Sequence, residues 1–314
     1  MLLRILIAAL SAFRETFESW NADRAPRLAA ALAYYAIFSI APLLVIVVAI
    51  AGAVYGENAV RGELSLALQN IVGAEAADFV QEIVISIQTA PSGRAATIIS
   101  IVVIAFGAMN FFAALQDALN TIWGVSPHLR DARAGIVFFI KSRLLSFLMV
   151  GIIGLLILSF IAFSSLISAV ITLGSNMNVL PGFLPTLLRI LDLFLSTAVL
   201  TLLFAIIFKV LPDAYIAWED VFFGSLMTGL LFVIGETALS LYLGSGAVAS
   251  VFGAAGALVV LLVWVYYSAQ ILLLGAEFTR VFAKRRGAHI RPRSPRPDAA
   301  PAVEPAPHSE QIEV

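Results

Sequence analysis

The chain has 314 residues, of which 61% are hydrophobic and 12% are charged, and its net charge is -1. A water-soluble domain carries about 25% charged residues, so this composition excludes an ordinary soluble fold and indicates an integral membrane protein. The sequence contains no cysteine, which excludes disulfides, thiolate metal sites and cysteine nucleophiles. Its three histidines lie in a predicted loop and in the C-terminal tail, a distribution that does not suggest a metal site.

Residues 1–27 form the first predicted element. Phe13, Phe17 and Trp20 recur at helical spacing among charged residues, which predicts an amphipathic helix. Arg4 interrupts a short apolar stretch, so the segment does not have the pattern of a signal peptide. We expect this helix to lie on the cytoplasmic face of a membrane.

Six apolar stretches follow, of which the fourth is the shortest. A helix that crosses a membrane needs about 20 apolar residues, because it rises about 1.5 Å per residue and the hydrocarbon core is about 30 Å thick. The predicted fold is therefore all-α and polytopic, with a six-helix transmembrane domain over residues 28–283. The predicted spans cover residues 28–55, 95–116, 144–173, 193–208, 221–243 and 249–276.

The distribution of Lys and Arg predicts the orientation of these spans, because positively charged loops are retained in the cytoplasm. Sixteen of the 19 Lys and Arg residues lie in the N-terminal segment, the second and fourth gaps and the C-terminal segment. The remaining three lie in the alternate gaps. With six crossings of the bacterial inner membrane, both termini are predicted to be cytoplasmic.

Two segments outside the spans have their own patterns. The first outer loop, residues 57–89, has apolar residues at helical spacing and predicts amphipathic helices at the outer surface. These helices either cover the mouth of a cavity or form a solvated cap. Residues 284–314 are basic and then Pro-rich, which predicts a disordered cytoplasmic tail. Its basic part is either a site for anionic headgroups or only a topology signal.

Three segments carry a family resemblance. Residues 28–44 read LAAALAYYAIFSIAPLL, residues 118–125 read ALNTIWGV, and residues 253–287 read GAAGALVVLLVWVYYSAQILLLGAEFTRVFAKRRG. In these motifs the chain resembles the YihY/BrkB family of inner-membrane proteins, some of which were once labelled ribonuclease BN. The chain departs from the family pattern at residues 250–256, SVFGAAG, where many relatives have Tyr-Gly-Ala.

The resemblance implies a six-helix inner-membrane protein, and it links the family to serum resistance and to the export of envelope lipid or lipopolysaccharide. The ribonuclease label is regarded as a misassignment, and the residues agree with that view. A metal-dependent nuclease needs clustered carboxylates and histidines, and the sequence shows no such cluster and no P-loop, GxSxG or HExxH motif. We therefore expect no enzyme activity, no catalytic or metal site, no cofactor and no nucleic-acid partner.

Glu236 is the only charged residue within the fifth predicted span. A charged side chain near the bilayer centre costs about 2.5 to 3.5 kcal/mol on insertion scales, so its surroundings must compensate for it. Glu236 either binds a proton or a headgroup in a cavity, or it is a protonated or hydrogen-bonded structural residue between helices.

The first predicted span combines Tyr34, Tyr35, Ser39 and Pro42 in a charge-free helix. Pro42 removes one backbone hydrogen bond and predicts a kink, and Ser39 is near enough to satisfy the freed carbonyl. A kink of this kind forms a cavity or a hinge, or it only serves packing. Tyr34, Tyr35 and Ser39 are therefore candidate substrate- or proton-binding residues.

Polar side chains also follow the inner end of the second predicted span, at Asn110, Gln116, Asp117 and Asn120. They either line a polar vestibule or hydrogen-bond to neighbouring helices. Asn110 lies deepest in the span and is the candidate binding residue among them.

Two charged pairs are predicted near the ends of spans. Arg189 and Asp192 are three residues apart at the start of the fourth span, a spacing that places them on one helix face as a candidate ion pair. Glu277 and Arg280 have the same spacing at the inner end of the last span. We expect this second pair to be exposed.

The predicted helices enclose a largely apolar path with few polar residues, which suits an amphiphile. The favoured function is a transporter or flippase of a lipid, a lipid-linked precursor or another amphiphile across the cytoplasmic membrane, with membrane lipids as partners. Selective ion channels and ion-coupled transporters place several charged groups along the route, and this sequence offers few. The alternative is a non-transporting scaffold that supports envelope assembly. The oligomeric state does not follow from the sequence.

Overall fold

The computed structural model describes residues 2–39, 110–125, 183–244, 255–288 and 291–292, together with isolated positions between 156 and 172. The described residues are almost entirely helical. The helices are α1 (Leu2–Ala22), α2 (described over residues 25–39), α3 (described over residues 110–122), α4 (Leu184–Val210), α5 (Trp218–Gly244) and α6 (Gly256–Arg285). Two short strands, β1 (Ala214–Tyr215) and β2 (Arg291–Pro292), pair antiparallel.

Three helices in the described part are long and apolar enough to cross a membrane, and they match the fourth, fifth and sixth predicted spans: Thr186–Val210, Trp218–Leu239 and Gly256–Arg285. Each helix is longer than its apolar stretch, since the polar residues that flank the stretch are also helical. Lys284 and Arg285, for example, lie in the last turn of α6, where cations are favoured by the helix dipole. The third predicted span and the outer helices at residues 57–89 lie largely or wholly outside the described residues, so six crossings stay a prediction.

Helices α5 and α6 pack closely at two glycines that face threonines. A Cβ atom on Gly224 would lie 1.8 Å from Thr279 Oγ1, and one on Gly275 would lie 1.7 Å from Thr228 Oγ1. Because Gly224 precedes Thr228 by four residues and Gly275 precedes Thr279 by four, the two helices are antiparallel. Each threonine donates a hydrogen bond to the glycine carbonyl of its own helix, Thr228 at 2.7 Å and Thr279 at 2.8 Å.

Helices α4 and α5 form the adjacent antiparallel pair, joined by residues 211–217. A Cβ atom on Gly229 would lie 2.9 Å from Thr201 Oγ1, so the helix axes approach closely here as well. The rings of Phe204 and Phe232 pack against each other with centroids 5.7 Å apart. Glycines opposite small polar residues are typical of helix contacts in membranes, where close approach supplies dispersion energy.

The buried core lies at one end of the bundle, where α3, α4 and α6 finish and α2 and α5 begin. We call this end the junction end. Leu119, Ile122, Phe208 and Leu273 are buried there, and Trp123 packs edge-on against Phe208 with ring centroids 5.9 Å apart. Three distant parts of the sequence therefore meet in one apolar layer.

Glycine ends two of the helices at the junction end. Gly124 follows α3 with φ 64° and Gly287 follows α6 with φ 75°, a left-handed conformation that glycine adopts without steric cost. The amide of Val125 donates to the carbonyl of Asn120 at 2.9 Å, and the amide of Ala288 donates to that of Ala283 at 2.9 Å. These bonds satisfy carbonyls that a helix end leaves free.

Residues 284–314 were predicted to be a disordered tail, but the first of them have regular structure. Helix α6 continues to Arg285, and Tyr215 in the loop after α4 is paired in register with Arg291. Arg286 forms an ion pair with Glu219 at the start of α5. The start of the tail is thus attached to the α4–α5 loop, and residues 293–314 lie outside the described residues.

Candidate functional site

Helices α2 and α3 leave a groove of about 290 Å³ between them. Four alanines line it, and their small side chains leave this space open. Four polar side chains reach the same surface, and they come from both helices. The lining residues are Leu28, Ala31, Leu32 and Tyr35 of α2 and Asn110, Ala113, Ala114, Asp117, Ala118 and Thr121 of α3.

The polar residues of α3 separate onto two faces. Asn110, Asp117 and Thr121 line the groove, whereas Asn120 is 1% exposed and faces the core. Gln116 also points away from the groove, toward the α4–α5 loop. The two interpretations of this polar run, a vestibule or hydrogen bonds to neighbours, thus apply to different residues.

Among the candidate residues of α2, the structure brings Tyr35 into the groove together with Asn110. Tyr34 is 60% exposed and does not line the groove, and its ring contacts that of Phe38 with centroids 5.1 Å apart. Ser39 is buried. Pro42 lies outside the described residues. Whether these side chains bind a substrate or a proton stays a prediction.

The remaining candidates lie away from the groove. Glu236 is half-buried on α5, one residue after Gly235, where α5 approaches Tyr267 of α6. Asp192 accepts a hydrogen bond from Ser164 at 2.7 Å, and Arg189 is exposed. Within the described residues no salt bridge joins Arg189 to Asp192.

Asp213 connects the α4–α5 loop to α3. Its carboxylate accepts hydrogen bonds from Asn120 Nδ2 at 3.1 Å and Gln116 Nε2 at 3.2 Å, and its amide donates to Asn120 Oδ1 at 2.9 Å. The side-chain amide of Asn120 therefore donates one hydrogen bond to Asp213 and accepts another from it. This reciprocal pair fixes the loop against α3, because breaking it leaves buried polar atoms without partners.

Arg280 of α6 gathers three partners at the junction end. Its Nη1 lies 2.7 Å from Asp23 Oδ2, its Nη2 lies 3.1 Å from Glu277 Oε2, and its guanidinium also donates to the carbonyl of Ile122. Glu277 is 0% exposed. The expected pair is thus confirmed, but the expectation that it would be exposed is wrong.

Sequence reasoning did not identify Asp213 or the role of Asp23. Both residues lie in short connections, and their partners are about 90 or more positions away in the chain. One usable signal existed: Gln116 and Asn120 are four residues apart on one face of α3, and Asp117 and Thr121 share a second face about 100° away. Polar residues on two faces of one helix indicate two different environments.

Comparison with known proteins identifies a family whose sequence pattern extends over most of this chain. The family described as Virulence factor BrkB matches the chain over residues 16–300. The chain belongs to the BrkB family. The match includes α2 to α6, the groove and the junction end, so the family relationship extends over the described site.

Several BrkB relatives are named UPF0761 membrane protein. Those from Tolumonas auensis and Azotobacter vinelandii are each 27% identical to this chain, over 88% and 89% of its length, and the one from Alkalilimnicola ehrlichii is 26% identical over 87%. The chain covers 87% of the first protein but only 65% and 58% of the other two. No solved structure matches the chain. The chain is therefore a membrane protein of the BrkB family, whose relatives' names state no activity.

Two of the three segments that resemble BrkB motifs contribute residues to the junction end. In ALNTIWGV, Asn120 binds Asp213, Trp123 packs on Phe208, and Gly124 ends α3. In the closing segment, Arg280 joins Asp23 and Glu277. In this chain both motifs hold helix ends together, and the groove lies beside that assembly.

The lining of the groove combines an apolar surface with a few polar groups. Leucine and alanine side chains give it an apolar surface, and Tyr35, Asn110, Asp117 and Thr121 supply hydroxyl, amide and carboxylate groups. Ligand sites commonly combine a mainly apolar lining with a few polar groups that orient the ligand. Within the described residues no group of three His, Asp or Glu side chains is arranged to hold a metal ion.

Proposed function

We propose that this BrkB-family protein crosses the bacterial inner membrane six times, with both termini in the cytoplasm. The sixteen-to-three distribution of Lys and Arg supports this topology. The packing supports it independently. Residues 20–29, 118–125, 211–221 and 269–276 contribute to a single buried cluster at the junction end. They lie in or next to the segments that the charge distribution assigns to the same side.

Within that topology, we propose that the protein moves a lipid, a lipid-linked precursor or another amphiphile along the groove between α2 and α3. The observation that supports this function is the lining of the groove, which combines apolar and polar side chains along about 16 Å of α3. An amphiphile needs both kinds of surface, because its headgroup loses water and its chain must stay in an apolar environment. The proposed action requires movement of the amphiphile and no covalent chemistry.

Reconstitution tests this function. The purified protein is placed in lipid vesicles, and the movement of lipids with fluorescent headgroups between leaflets is followed by adding an impermeant quencher. We expect faster movement than in protein-free vesicles for at least one headgroup. The Ala31→Trp variant should remove most of that gain, because Ala31 lines the groove and an indole would fill it.

A matched control distinguishes obstruction from general damage. Ala198 is an exposed position on α4 that does not line the groove, so Ala198→Trp should leave the movement unchanged. Equal loss in both variants would argue against the groove as the route. No acceleration by the unmodified protein, over several headgroups, would argue against transport itself.

A non-transporting scaffold is the second candidate, and one observation favours it. The junction end is connected by Asn120–Asp213 and Asp23–Arg280 contacts that join α1, α3, the α4–α5 loop and α6. A fixed assembly of this kind suits a platform for envelope proteins. A scaffold would be supported if the vesicles show no lipid movement while deletion of the gene still weakens the cell envelope.

A further inference from the structure

Helix α1 exposes an apolar stripe on one side. Leu10, Phe13 and Phe17 are 63%, 42% and 56% exposed, and they follow one another at intervals of three and four residues. This interval places them on one face of the helix. Thr16, on another face, is 2% exposed. One side of α1 therefore packs on the protein. The stripe stays exposed, and its Phe17 ring stacks on Trp20 of the same helix with centroids 5.1 Å apart.

Contacts with α6 determine where this stripe lies. Arg285 donates to Ser11 Oγ at 2.9 Å and pairs with Glu15 Oε2 at 2.9 Å, and Arg280 pairs with Asp23. Between Ser11 and Asp23, α1 advances about 18 Å, whereas the contacted stretch of α6 advances about 7.5 Å. Helix α1 thus crosses the end of α6 obliquely and does not continue alongside it.

This placement favours a lipid surface as the occupant of the stripe. Helix α6 is long and apolar enough to span a membrane, and α1 crosses its final turns, where a span enters the headgroup region. Beside the stripe, Arg14 and Glu18 form an exposed ion pair at 2.7 Å. An amphipathic helix that lies in a membrane interface has this arrangement, with aromatic and aliphatic side chains toward the acyl chains and charges toward water.

We propose that Leu10, Phe13 and Phe17 insert into the boundary between headgroups and acyl chains at the junction end. Inserted in this way, α1 anchors the N-terminal segment on the leaflet, and the Asp23–Arg280 pair at its end holds the start of α2. The proposal depends on the membrane location of the chain and does not depend on transport.

The absence of cysteine makes a direct experiment possible. Single cysteines at Leu10 and Phe17 on the stripe, and matched cysteines at Arg14 and Glu18 beside it, are each labelled with a nitroxide in the full-length protein. The protein is then reconstituted in vesicles of phosphatidylethanolamine and phosphatidylglycerol. Power saturation measures collisions of each label with oxygen, which concentrates in lipid, and with a water-soluble nickel chelate.

We expect the Leu10 and Phe17 labels to collide more with oxygen than with nickel, and the Arg14 and Glu18 labels to show the reverse. High nickel accessibility at the stripe would overturn the proposal, because the stripe would then face water. Low accessibility to both reagents would also overturn it, since a protein or a second copy would then cover the stripe. Phe13→Cys repeats the measurement if either stripe variant fails to fold.

Discussion

The α5–α6 pair and the α2–α3 pair are both built around small residues, yet one is closed and the other is open. In the first pair, Gly224 and Gly275 each face a threonine side chain of the other helix. In the second pair, the alanines at positions 31, 113, 114 and 118 line a groove of about 290 Å³. Small residues therefore permit close approach but do not cause it. Whether two helices touch or leave a cavity depends on the side chain of the partner helix that faces the small residue.

The largest expected effect comes from Arg280, which connects the two pairs. Arg280→Ala should lower the stability by about 3 to 5 kcal/mol, because it leaves Asp23 and the buried Glu277 without their cation. Thermal unfolding in detergent, followed by tryptophan fluorescence, measures the change. Glu277→Gln should lower the stability less than Arg280→Ala, because the ion pair between Asp23 and Arg280 then remains.

Lys284→Ala is the matched control for Arg280→Ala. Lys284 is 79% exposed and lies 3.9 Å from Glu15, and an exposed pair of this kind contributes about 0 to 1 kcal/mol. Equal shifts for Arg280→Ala and Lys284→Ala would contradict the central role of Arg280.

The closed pair can be broken at Gly275. Gly275→Ala should destabilise the protein by about 1 to 3 kcal/mol, because the added methyl group collides with Thr228. Thr228→Ala in the same chain removes the atom that it meets, so the double variant should recover part of the loss. The four proteins form a double-mutant cycle, measured by the same thermal unfolding. Strictly additive effects would show that the two side chains do not meet.

The open pair should respond least. Ala31→Leu adds three carbon atoms, against one in Gly275→Ala, yet Ala31 faces open space in the groove. We expect its stability to change by no more than about 0.5 kcal/mol. If Ala31→Leu lowered the stability more than Gly275→Ala does, the comparison of the two helix pairs would be wrong. Helices α2 and α3 would then be in closer contact than α5 and α6.

The positions of the last three spans could be predicted because length and apolarity decide them locally. The fourth predicted span started at residue 193, but α4 begins at Leu184, since Arg189 and Asp192 are accommodated in the helix. Asn110 and Tyr35 were predicted as candidates and both line the groove, but the groove depends on Ala31 and Ala114 from two separate segments.

The buried state of Glu277 could not be predicted from the sequence. A carboxylate beside Arg280 at the end of a span ordinarily faces water. Here the turn containing Asp23 and the end of α3 at Ile122 lie over the same guanidinium. Burial of this kind is decided by segments far away in the sequence, and local spacing carries no information about it.

The contacts at the junction end have a mechanical consequence. The ion pairs that connect separate elements in the described part of the chain all lie at this end: Asp23–Arg280, Glu15–Lys284, Glu15–Arg285, Glu219–Arg286 and Asp220–Arg286. A tilt of α2 against α3 would pivot there, and the displacement would grow with distance from the pivot. Over the roughly 16 Å between Thr121 and Asn110, a tilt of about 10° separates the helices by about 3 Å. Such a pivot would widen the groove mainly near Asn110 while the opposite end keeps its contacts.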